Sequence, residues 1–255
     1  MAEFETIRRT GAGGATAARI DEGLRAHMSK VYGLMAVAMV ITGIVAYVFG
    51  SDLARVINQQ PTAIIPEGMI LALFNSPLKW VVMLAPLGVV FAFSAGLNRM
   101  SEGTAQMVFW LFAALMGLSI SSIFAIYTGM SIAQTFFVTA IAFAGLSLWG
   151  YTTKKDISGW GSFLFMGLIG IIVASLVNIF LASSAVQFAI SSIGVLIFAG
   201  LTAYDTQNIK NTYLQMRAAE GEAYLGKAAI MGALSLYLNF INMFMMLLQL
   251  FGNRN

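Results

Sequence analysis

The sequence predicts an all-α integral membrane protein with seven transmembrane helices, and three observations carry that prediction. Of the 255 residues, 59% are hydrophobic and only 10% charged, whereas soluble domains carry about 25% charged residues and use polar side chains to cover much of their surface. Apolar stretches of about 20 residues, the length a hydrocarbon layer of about 30 Å requires, recur along the chain. Lysine and arginine collect in alternate connectors, the pattern of a chain whose basic loops stay cytoplasmic.

Residues 1–30 are polar, rich in Gly and Ala, and carry both signs of charge. No apolar core precedes Val31, so the segment does not read as a secretory signal. It is expected to be a polar cytoplasmic N-terminal tail that ends in a short interfacial helix near Ile20–Lys30. His27, the only histidine, falls in this tail and is expected to be solvated, with no second histidine to form a metal pair. The remainder, 31–255, reads as the seven-helix transmembrane domain.

Its spans are placed at 31–50, 80–98, 106–127, 131–151, 160–182, 186–209 and 228–251. The breaks are chemical: SDLARVINQQP, LNRMSEG, YTGMS, TTKKDISGW, ASSA and NTYLQMRAAEGEAYLGK. Two of them are only a few residues long and predict tight antiparallel hairpins. Between the first two spans, Pro61, Pro66 and Pro77 bracket GMILALF, which is too short to cross. That piece reads as interfacial or re-entrant, or else as a short buried helix. Glycines in GLSISS (117–122) and GLSLWG (145–150) let helices approach closely.

The charges order the connectors. Eleven Lys and Arg fall on the side of the tail, Arg99, Lys154 and Lys210, against three on the side of Arg55, Lys79 and Arg254. With the basic side cytoplasmic, the N-terminus is inside and the C-terminus outside, which requires an odd number of spans. The positives thus report orientation, and no nucleic-acid partner is expected. The absence of cysteine excludes disulfide and thiolate chemistry.

Of eleven acidic residues, ten are assigned to the tail or connectors, leaving Asp205 as the carboxylate embedded in a span flank. Burial of such a group costs roughly 2.5–3.5 kcal/mol at a helix centre, which argues for a functional acid facing the bundle interior. The plainer alternative is a helix-end acid held by Lys210 or water. In the last span Gly232, Ser235, Asn239, Asn242, Met246 and Gln249 alternate at three and four residues and so form one polar seam. Such a seam faces protein or water; its amides either glue helices together, at about 1 kcal/mol each, or line a pathway. On the sixth span Thr202, Asp205 and Asn208 share a side, and Arg99 stands at the same expected membrane level as Asp205. Arg99 can pair with Asp205 or extend to lipid headgroups. Thr202, Asn208, Ser235 and Asn242 are the candidate lining residues. If Lys210 and Lys227 both marked the interface, Asp205 and Asn239 would lie at different depths, about 7.5 and 18 Å of helix rise from them. No nucleophile with a base, paired carboxylates or metal-binding histidines lie in the spans, so an enzyme is not expected.

The runs GLTAYDTQNIKN and ALSLYLNFINMF, with PLKWVVMLAPL and ALMGLSISSIFAIYTG, resemble the Bax inhibitor-1 family, also called TMBIM, and its bacterial YccA-like members, over about residues 28–255. The resemblance implies a last helix at the centre, wrapped by the other six, and a pH-sensitive calcium leak. It further implies two aspartates on the sixth and seventh helices that share a proton, and an arginine on the second that latches one of them. Asp205 matches the first aspartate. The second position holds Asn239, a departure from the family pattern, and Arg99 is the candidate latch. Without a second carboxylate the site lacks the mutual repulsion that tunes such pairs, so the pH response is expected to be weaker or to lie at lower pH. Asp205 is then a weak, transient calcium ligand, and no other cofactor is expected. Besides the lipid bilayer and calcium, the resemblance offers a different kind of partner: a regulator that binds other proteins, such as a membrane-anchored AAA+ protease, without transporting ions.

Overall fold

The computed structural model describes residues 2–218 and 222–255, with side chains from Asp21 onward except at 98, 222 and 223. Regular structure among the described residues is helical. Helix α1 runs over Ala2–Ile57, α2 over Glu67–Phe74 and α3 over Leu78–Gly96, ending in a 3-10 turn at Leu97–Arg99. Helices α4 (Glu102–Ile120) and α5 (Ile123–Ile126) form one broken span, followed by α6 (Gly129–Thr152), α7 (Trp160–Leu181), α8 (Ser184–Ala218) and α9 (Glu222–Phe251). Among the described residues seven helices are long and apolar enough to cross a membrane, each overlapping an expected span. The protein is an integral membrane protein.

Helix α9 is central. Two-thirds (67%) of its most apolar window is buried, against 17–33% for the other spans. Helices α8, α1, α6 and α4 pack directly on it, while α7 and α3 face it across a cavity and a narrow crevice. The anchor is Tyr237, fully buried between Phe109 and Phe112, whose rings meet it edge-on. Thr42 Oγ1 donates to the Ala113 carbonyl at 2.9 Å, so the Tyr237 hydroxyl, 2.6 Å from Thr42 Oγ1, is the donor to it. One phenol thereby ties α9 to α1 and, through Thr42, to α4.

Two expectations for the N-terminal part need correction over the described side chains; those of residues 1–20 lie outside them. Residues 21–30 are not a separate interfacial helix but a continuous part of α1. Leu24, Met28, Val31 and Met35 are all buried, so an apolar stripe at helical spacing begins inside the polar-looking segment. His27 rides beside it, buried and packed at a tilt against the Tyr213 ring with centroids 5.0 Å apart; it is not a solvated residue.

The opposite end of α1 holds a buried acid. Asp52 lies on the α1 extension and is fully buried. Its carboxylate accepts the backbone N–H groups of Ala63, Ile64 and Ile65 at 2.6–2.8 Å. Asp205 is therefore not alone among span acids; Asp52 folds the proline-bracketed connector back onto α1. The α2 helix that follows buries only Ile70.

Candidate functional site

The YDTQ run of α8 distributes four jobs around one turn. Gln207 clasps the connector before α7: its Oε1 accepts the Ile157 N–H at 3.0 Å and its Nε2 donates to the Lys155 carbonyl at 2.8 Å. In that connector the Ser158 backbone N–H, with its hydroxyl, holds the Asp156 carboxyl below the usual carboxylate range. Thr206 donates to the Thr202 carbonyl and meets Ser147 of α6 at 3.2 Å. Tyr204 packs over Gly161, where an added Cβ would fall 2.6 Å from its hydroxyl. These three hold α8 against α6 and α7, and Asp205 is left pointing toward α9.

There Asn239 Nδ2 donates to Asp205 Oδ2 at 2.7 Å. The two residues named from the sequence are thus in direct contact, at equal depth. The contact removes the depth mismatch suggested by the lysines; α8 continues beyond Lys210 to Ala218. Lys210 Nζ donates to the Tyr151 carbonyl at 2.9 Å, so it does not hold Asp205 either. Among the described residues no lysine, arginine or histidine pairs with Asp205.

Asp205 and Ser235 each line two cavities. One, of about 340 Å³, extends from them past Asn208 and Thr212 to His27 and Lys227 at the basic end of the bundle. The other, of about 540 Å³, lies between α7, α8 and α9, and Asn239 and Asn242 line it together with Asp205. Further along the seam a cavity of about 490 Å³ is lined by Asn178, Gln187, Ser191 and Gln249. Gln187 Nε2 and Ser191 Oγ both donate to Gln249 Oε1, at 2.7 and 2.9 Å. The structure therefore brings Asp205, Asn239, Asn208, Ser235 and Asn242 to two cavities that share Asp205 and Ser235 as lining.

Two candidates are placed elsewhere. Thr202 is fully buried, donates to the Phe198 carbonyl at 2.7 Å and lines neither cavity at Asp205; its hydroxyl closes back on its own helix. Arg99 is exposed at the end of the turn after α3 and does not reach Asp205, although Leu97 of that turn lines the first cavity. His27 is among the cavity residues that the sequence reading missed. The signal that marks it is the stripe Leu24, Met28, Val31, Met35, which extends the first span's buried face backward past the histidine.

The family model described as "Inhibitor of apoptosis-promoting Bax1" matches residues 24–255. The chain belongs to the Bax inhibitor family. Among its relatives, the inner membrane protein YbhL of Escherichia coli (strain K12) is 46% identical over 232 residues, 91% of this chain and 93% of the relative. An uncharacterized protein of Caulobacter vibrioides is 47% identical over 91% of this chain and 90% of its own length. One of Rickettsia prowazekii is 44% identical over 92% of each. The matched region takes in the last helix and both Asp205 and Asn239.

Proposed function

We propose that this Bax inhibitor family protein is a cation leak of the bacterial inner membrane that conducts calcium and responds to pH, with Asp205 and Asn239 at its control point. The observation that carries the reading is a span carboxylate that lines two cavities of the bundle and, among the described residues, is held by an amide at 2.7 Å. An acid at such depth is costly and is by default a functional group. Calcium favours several hard oxygen ligands; Asp205, the Asn239 amide oxygen, Ser235 and Asn208 supply oxygens along these cavities. A single negative charge binds the ion weakly, and conduction requires binding weak enough for release. The E. coli relative's name supports the membrane assignment. The Lys and Arg distribution supports a cytoplasmic N-terminus and a periplasmic C-terminus. Arg99 serves as the latch in a conformation in which its turn rotates into the cavity that Leu97 already lines.

Purified protein in liposomes loaded with a calcium indicator, assayed between about pH 5 and 8, tests this. Asp205→Asn should abolish flux. Asn239→Asp should restore two carboxylates that repel each other and so give a steeper pH response nearer neutrality than the parent chain. Flux in Asp205→Asn equal to the parent, or a sharp parent transition near neutrality that vanishes in Asn239→Ala, would overturn the reading.

A further inference from the structure

The α7–α9 cavity has an unusual wall. Helix α7 packs on α8 and makes no extended backbone packing with α9. Ile172, Leu176 and Ile179 line the cavity and are also 51, 55 and 72% exposed on the outer surface of the bundle. That surface is the one lipid covers, so the cavity opens sideways into the bilayer. Its rim is aliphatic, while its back wall presents Asp205, Asn239, Asn242 and Ser235. Phe198 adds an aromatic wall. An apolar mouth of this size over a few convergent polar groups is the usual anatomy of a small-molecule site, and the charge at its base selects the occupant. Asp205 accepts one hydrogen bond from a neutral amide and meets no cationic side chain among the described residues. An anion is repelled there, and a neutral chain leaves the carboxylate uncompensated. An organic cation with apolar substituents answers both parts: it partitions into lipid, fits the aliphatic rim, and brings its charge to the acid and the aromatic face.

We propose that this side-opening groove is a binding site for lipophilic organic cations, entered from the membrane, with Asp205 as the counter-ion. The assignment goes beyond the ion-leak reading and does not require flux. Radiolabelled tetraphenylphosphonium binding to the full chain in lipid nanodiscs tests it, with tetraphenylborate as the anionic isostere. The expected result is saturable binding of the cation at about one site per chain, with no competition from the borate. Asp205→Asn should weaken binding about tenfold or more. Ser175→Trp, which fills the α7 side of the groove without touching the charge, should weaken it similarly. Thermal unfolding of each variant checks that it remains folded. Wild-type affinity retained in Asp205→Asn marks simple partition into lipid and overturns the proposal. Wild-type affinity retained in Ser175→Trp overturns the groove as the site. Calcium flux is measured on the same preparations: loss of the leak reading with tetraphenylphosphonium binding intact leaves this assignment standing, and the reverse outcome removes it alone.

Discussion

At the scale of single residues, the family motifs divide into one chemical group and many mechanical ones. In YDTQ only Asp205 meets a cavity; Thr206 and Gln207 tie down neighbouring elements. In LYLNFIN, Asn239 faces Asp205, whereas Tyr237 is the anchor of the central helix. That division makes a prediction. Tyr237→Phe keeps the edge-on packing with Phe109 and Phe112 but loses the hydrogen bond to Thr42, and should cost about 1 kcal/mol. Tyr237→Ala removes the ring as well and should cost about 3–5 kcal/mol. Thermal unfolding in detergent ranks the two; equal losses would show that the hydroxyl, not the ring, carries the anchor. Neither change touches the cavities, so the smaller one should leave any flux at Asp205 intact.

At the scale of elements, the reversal between α7 and α8 carries local strain. Ala182 caps α7 in the left-handed region, at φ 47° and ψ 33°, where an L side chain crowds its own carbonyl. Glycine is the residue that ordinarily ends helices in this way. The turn is held by the Ala182 N–H to Asn178 O at 2.8 Å and the Ser183 N–H to Asn178 Oδ1 at 3.1 Å. Ala182→Gly should therefore raise stability by about 1 kcal/mol, read as a higher unfolding midpoint in detergent. An unchanged or lower midpoint would mean that the strain is relieved elsewhere. The same hairpin positions Asn178 beside Gln187 at 3.2 Å, so the turn also sets the outer end of the polar seam.

At the scale of the whole molecule, the bundle depends on close backbone crossings, among them those at Gly150 and Gly117. A Cβ on Gly150 would lie 2.4 Å from the Ala203 carbonyl oxygen, and one on Gly117 2.6 Å from the Thr42 carbonyl oxygen. Backbone atoms cannot step aside as a side-chain tip can, so Gly150→Ala must push α6 off α8. The expected cost is about 1–3 kcal/mol, with loss of the Ser147–Thr206 and Lys210–Tyr151 hydrogen bonds beside Asp205. Thermal unfolding together with faster amide exchange near Tyr151 checks it; parent stability in Gly150→Ala would show that the crossing is looser than this geometry requires. Length, apolarity and charge sorting were enough by themselves to establish the membrane class, the seven spans and the polar seam of the last helix, because each is a property of a continuous stretch of chain. What faces the seam is not such a property. That Asn239 meets Asp205, that Thr202 turns back on its own helix, that Arg99 stays outside, and that His27 and Asp52 are buried were decided by how the helices pack. Helical spacing defines a face but not its neighbour, and a polar residue's surroundings depend on segments distant in sequence. Asp52 illustrates the limit: its partners are the backbone N–H groups of Ala63, Ile64 and Ile65, groups that every residue except proline carries, so no pattern of side chains could have announced them.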